Sequence, residues 1–167
     1  MGVSEASESI AGYRFVVPIE LRDEHIDGQG HLNNAAVARI LNDLRVAYIG
    51  AGPGPRWHEH LRAPDHRRTV VVRELHVAYD REATIDDELV GCVRVSARRG
   101  KAKIVEQRIV DARADAVVAR AWVVQLFVED GVVREFPTFY WDAIATAEGR
   151  VVPPGPRAAP VPFGPPT

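Results

Sequence analysis

The sequence lacks the features that would mark a secreted, membrane-spanning or nucleic-acid-binding chain. It has one cysteine, Cys92, so a disulfide scaffold is excluded; set in an apolar run, that thiol reads as a reduced core residue. No stretch approaches the roughly 18 consecutive apolar residues a transmembrane helix requires, and the first 15 residues contain no apolar signal core. The expectation is therefore a soluble, cytoplasmic protein with no membrane partner. Charge of one sign is missing too: 21 basic residues face 23 acidic ones, and no overall field draws the chain to nucleic acid. There is no internal repeat.

What is present is one domain's worth of alternating patterns. Residues 13–21 form a short apolar and aromatic run in which Pro18 predicts an edge strand or a bulge, since proline brings no amide hydrogen to a ladder. Over 32–49 the period changes: Leu32, Ala36, Ile40, Leu44 and Tyr48 share one helical face, with Asn33 or Asn34 as cap and Gly50, Gly52 and Pro53 as the stop. Residues 56–68 read as a polar connector. Four stretches rich in β-branched residues follow, 69–79, 89–98, 101–111 and 117–128, with turns at Arg99-Gly100 and Asp130-Gly131. Both alternate faces of the last strand are apolar, so something must pack on each, a second subunit or a terminal helix over 139–148. Residues 1–12 read as a flexible end, 13–148 as the domain, and 149–167 as a proline-rich tail.

The chemistry concentrates between the first strand and the long helix, in Asp27-Gly28-Gln29-Gly30-His31-Leu32-Asn33-Asn34. Glycines at a strand-to-helix corner permit unusual dihedrals and close approach to the backbone. The unpaired amides of a helix start are suited to an anion or a developing oxyanion.

On these residues the chain resembles the hotdog thioesterases of the 4-hydroxybenzoyl-CoA thioesterase type: an aspartate, two residues, Gly-His, an aliphatic residue, Asn-Asn and a small residue, then an arginine in the helix, here Asp27, Gly30-His31, Leu32, Asn33-Asn34-Ala35 and Arg45. The resemblance implies an α+β hotdog fold, a five-stranded antiparallel sheet wrapped around a long central helix, assembled as a homodimer or homotetramer with active sites at the subunit boundary. It implies hydrolysis of an acyl-CoA or acyl-carrier-protein thioester without metal or other cofactor. Asp27 falls at the position of the catalytic carboxylate, as nucleophile or general base, and Asn34 at the position of the amide that polarises the thioester carbonyl. Gly28 and Gly30 shape the loop; His31 and Asn33 orient it or touch substrate. His25 departs from the pattern, standing where many relatives carry a second aspartate. A noncatalytic acyl-thioester binder and a hotdog dehydratase or hydratase are the alternatives.

Arg98, Arg99, Lys101 and Lys103 make the densest basic patch and hold both lysines of the chain, which makes them candidates for coenzyme A phosphates or for the acidic face of a carrier protein. His58-Glu59-His60 does not put two histidines on one helical face, so no metal is expected there. Asp43 and Glu59 are secondary carboxylate candidates, and Trp122, Phe127, Phe139, Tyr140 and Trp141 read as core or subunit contact.

Overall fold

The computed structural model describes residues 8–156. In chain order the elements are β1 (Phe15–Pro18), α1 (Asn34–Ala51), α2 (Gly54–Arg62), β2 (Arg68–Tyr79), β3 (Leu89–Arg99), β4 (Ala102–Asp111), β5 (Ala116–Glu129), β6 (Val132–Arg134) and α3 (Thr138–Glu148). One antiparallel sheet runs in the order β1-β3-β4-β5-β2, with β6 added on β5. Pro18 stands on the edge strand β1, where its missing amide costs no ladder bond.

The sheet has six strands rather than the expected five. Asp130 and Gly131 both take positive φ, 51° and 80°, the requirement of a two-residue I′ turn, and the chain therefore folds straight back, pairing Glu129 with Val132. The expected polar connector is also a helix, α2. A single aromatic anchor, Trp57, sets its inner face: only 2 % exposed, it lies 4.5 Å from Tyr140 and 6.0 Å from Phe136, ring centre to ring centre. Trp57 and Leu61 are the two large apolar side chains in these nine residues, too few for a readable period, so the sequence conceals this helix.

Helix α1 lies across one face of the sheet. Its buried stripe Val37, Ile40, Leu41, Leu44 and Tyr48 packs with Val93 and Val95 of β3, Val105 and Ile109 of β4, and Ala119, Ala121 and Val123 of β5. Close approach depends on small residues beneath the helix: a Cβ built on Gly91 would stand 2.3 Å from Leu44 Cδ2. Helix α3 joins the same core through Tyr140 and Ile144 and so lies on the face that carries α1. The other face is partly covered by the segment ahead of β1, where Tyr13 packs with Cys92 and Val110, Ser9 Oγ donates to the Asp115 carbonyl (2.8 Å) and Arg108 donates to the Ser9 carbonyl (2.7 Å). Cys92 is fully buried and burial pushes its thiol up to about 11. Past α3, Val152 is buried and Gly100 N–H donates to the Gly155 carbonyl at 2.9 Å; the remainder of the proline-rich segment lies outside the described residues.

Gly91 gives the first test. Gly91→Val should push Leu44 off β3 and lower stability by about 1–3 kcal/mol, read as a fall in the urea midpoint with the slope unchanged.

Candidate functional site

Residues 26–32 form a small closed loop ahead of α1. An antiparallel bridge pairs Ile26 with Leu32. Within it, Asp27 N–H donates to the His31 carbonyl (2.8 Å) and Gly30 N–H to the Asp27 carbonyl (3.0 Å). The base is tied on two sides: Asn33 N–H donates to the His25 carbonyl (2.9 Å), and Leu32 N–H to the Ala83 carbonyl (2.7 Å) beyond the end of β2. Gly30 sits at φ +87°, where an L side chain would be strained. Gly28 has no such constraint, and a Cβ there would meet nothing within 4 Å.

The Asp27 carboxylate faces solvent. Its Oδ1 accepts from Gln29 N–H (2.8 Å) and His31 N–H (3.1 Å). These backbone donors, His31 first, hold its pKa below the ordinary aspartate range, so the group is an anion across neutral pH. His31 places Nε2 3.4 Å from Glu82 Oε2, a partner the sequence did not suggest because it lies some fifty positions away.

The two asparagines separate in role. Asn33 is the cap, its side-chain oxygen accepting from Ala36 N–H at 2.8 Å. Asn34 is the first residue of α1, and the amides at that position have no acceptor within the helix. Arg45 turns inward and donates to Gln107 Oε1 (3.0 Å) and the Leu41 carbonyl (3.3 Å); it braces the helix on β4 and stands apart from the loop. His25 Nδ1 accepts from Arg22 N–H (3.1 Å), which leaves its proton on Nε2 in the neutral ring. Behind the loop a cavity of about 420 Å³ opens between β1 and α1; His25, Arg39 and Asp43 line it, Asp27 does not.

The basic hairpin is divided by its own strands. Arg98 lays its guanidinium 4.1 Å from the centre of the Trp141 ring. Lys103 is a correction to its candidacy as a phosphate contact: alternation along β4 turns it under α3, where it is 1 % exposed, donates to the Tyr140 hydroxyl and lies 5.1 Å from the Phe136 ring centre. No phosphate reaches it there. Burial, with the nearby Arg45 guanidinium, pushes its ammonium down to about 7. Arg99 and Lys101 remain together at a surface cavity with Arg73. That cavity adjoins the far end of β3 from Leu89, so the length of the strand, roughly 30 Å, separates it from the Asp27 loop of the same chain. In α2, His60 stacks on Trp57 at 5.6 Å, turned into the aromatic cluster that also holds Phe127, Phe139 and Tyr140, while Glu59 lies on the open side near His58. Among the described residues no group of three or more His, Cys, Asp or Glu side chains is placed to hold a metal ion.

The thioesterase-like superfamily model matches residues 21–162. Among solved structures, a Thermus thermophilus thioesterase complexed with coenzyme A and zinc is similar at 23 % identity and a TM-score of 0.72, over 85 % of this chain and 99 % of that one. A Staphylococcus aureus protein in complex with CoA is similar at 15 % identity and a TM-score of 0.69, over 90 % and 95 %. The probable thioesterase YbaW of Escherichia coli follows at 22 % identity and 0.66, over 77 % and 94 %. No curated protein matches the chain. The structural likenesses show the hotdog fold.

Lys103 gives a signed prediction. Its folded pKa, about 7, lies below its unfolded value of 10.5, so between those pH values the unfolded chain binds more protons and stability rises with pH. Lys103→Met should therefore stabilise the fold, with the gain greatest near pH 7 and shrinking toward pH 10, measured by urea unfolding at both ends of that range.

Proposed function

Since the chain belongs to the thioesterase-like superfamily, we propose that it hydrolyses an acyl thioester, an acyl-CoA in preference to an acyl-carrier-protein, in the cytoplasm, with Asp27 as the working carboxylate. The observation that carries this reading is the state of Asp27: exposed, ionised, and held through Oδ1 by two amides of its own loop. Oδ2 is then the oxygen available for chemistry. A thioester carbonyl set against the amide of Asn34 would have its developing negative charge met by a fixed donor and by the positive end of an eighteen-residue helix.

Two routes use this geometry. In one, Oδ2 attacks the carbonyl carbon, the carbon–sulfur bond breaks to give a thiolate and an aspartyl anhydride, and water then cleaves the anhydride. In the other, Oδ2 takes a proton from water as that water attacks, and the proton passes to the departing thiolate. Gly28, with open space where a side chain would stand, leaves room for the substrate, while His31 and Asn33 hold the loop in shape. A noncatalytic acyl-thioester binder draws on one observation as well: the same two amides would fix Asp27 as a simple loop cap.

The assembly follows from β2. It is an edge strand of twelve residues whose Val71, Val72, Leu75 and Tyr79 are exposed, and a long apolar edge calls for a covering strand. We infer that a second copy pairs there, giving a homodimer or a tetramer built from it. Because the Asp27 loop is tied to Ala83 just past this strand, the partner would wall one side of the site.

Two measurements test the reading. On a panel of acyl-CoA and acyl-carrier-protein thioesters, the protein should release free thiol, and Asp27→Asn should slow that release by about 100-fold or more; release should stay level through neutral pH and decline only in acid below the ordinary aspartate range, since the loop amides hold this carboxylate ionised there. Binding without thiol release would establish the noncatalytic reading instead. By sedimentation, the wild type should be dimeric or tetrameric and Val72→Lys with Leu75→Lys monomeric.

A further inference from the structure

The outer face of the sheet, opposite α1, carries a second cavity, of about 430 Å³. Its floor is aliphatic: Ala102, Val124, Leu126 and Val133. Three bases border it, Arg73, Arg99 and Lys101, with one acid, Glu135.

Two β-bulges assemble this combination. Along β3, Val95 pairs with Val105 and Ala97 with Ile104, so Ser96 is the extra residue. Val95 and Val105 belong to the core under α1, whereas Ile104 belongs to a separate cluster with Ala102 and Val124. The bulge therefore reverses the alternation and sends Arg99, which pairs with Ala102, to the outer face. Along β2, the register shifts between Val72 and Glu74, so Arg73 is the extra residue, and Glu74 falls opposite Val124 on that same outer face. Bulges of this kind re-aim side chains; here both deliver arginines to one patch. The register sets Arg99, Ala102, Leu126 and Val71 in a row across four strands, an apolar strip with a cation at one end.

The charges have a balance that selects a ligand. Glu74 stands 3.8 Å from Arg73 and 3.7 Å from Arg99, and Glu135 is the second acid, so among the described residues three bases and two acids leave one net positive charge. Lys101 Nζ gives one hydrogen bond, to the Val133 carbonyl (3.1 Å), and an ammonium has three to give. Among the described residues the lining offers no aromatic ring on which a nucleobase could stack.

We propose that this cavity binds an aliphatic monocarboxylate, its chain on the Val124–Leu126 floor and its carboxylate among Arg73, Arg99 and Lys101. Such an acid has the chemistry of the product of the hydrolysis proposed above, bound about a strand's length from Asp27 of the same chain. The site itself does not depend on that reaction.

Sodium decanoate titrated into the full-length protein tests it, followed by calorimetry and by methyl NMR shifts. Binding should move the Val124 and Leu126 methyl signals, and it should be unchanged in Asp27→Asn, which separates this site from the hydrolysis reading. Arg73→Gln with Arg99→Gln should weaken binding about tenfold or more, with unfolding temperature as the check on folding; Lys101→Gln, a change at an exposed hairpin tip, should weaken it about threefold. Decanol, with the chain and no charge, should bind about tenfold more weakly than decanoate. Unchanged affinity in the arginine pair, loss of binding in Asp27→Asn, or displacement of decanoate by adenosine 3′,5′-bisphosphate bound at the same methyl groups would each overturn the assignment.

Discussion

Everything else in this fold depends on how closely α1 can approach the sheet. The helix buries Val37, Ile40, Leu41, Leu44 and Tyr48, each contributing roughly 1.5–3 kcal/mol when fully withdrawn from water. That gain exists only because Gly91, Ala119 and Ala121 leave space under the helix. Seating α1 also sets where its first turn stands. Asn33 caps it, the Asn33 amide bonds back to His25, and the seven-residue loop carrying Asp27 is closed between those anchors. A core packing decision on β3 therefore fixes the position of a carboxylate on the surface.

The same core contains polar groups that must be satisfied in place. Arg45 spends its donors on Gln107, Asn42 and the Leu41 carbonyl, and Gln107 returns a bond to that carbonyl at 2.7 Å. At the other end of the helix, Glu148 accepts from both the Tyr48 hydroxyl and Val95 N–H (2.7 Å), locking α3 to α1 and β3 together. Burial and this bond to a carboxylate raise the Tyr48 hydroxyl well above its ordinary range. Such contacts return little net energy over an apolar replacement, but they are directional, and they hold α1 at one rotation and one height against the sheet. Lys103 differs in its partners: among the described residues its ammonium meets a hydroxyl and ring faces, and burial opposes its charge as it does that of Arg45.

Features written in local pattern were legible in the sequence. The helical period predicted 32–49 against an observed Asn34–Ala51, and the four long strands fell within two residues of their observed limits. The loop motif was equally plain, because its glycines, histidine and asparagines are contiguous. Features made by tertiary context were not. Trp57 anchors α2 through aromatic partners from β5 and α3. Lys103 looked like a hairpin charge because the helix that covers it begins thirty-five positions later. The bulges at Arg73 and Ser96 leave no local signature in either strand, and through them the parity of Arg99 was hidden.

The distribution of charge along the strands ties these threads together. An unbulged β3 would keep Val95, Ala97 and Arg99 on one face and drive a guanidinium into the core between α1 and α3. The extra residue at Ser96 turns Arg99 out and Arg98 in, where Arg98 lies over Trp141 at the edge of α3 and makes a cation–π contact, with its Nε buried and unbonded. One inserted residue thus decides which of the two arginines meets the helical layer. It also sorts the consecutive arginines into two jobs, one closing the helical layer and one charging the opposite surface. The Asp27 end of the sheet carries an anion beside helix amides, the hairpin end a cationic rim over an aliphatic floor, and the separation between them is set by strand length.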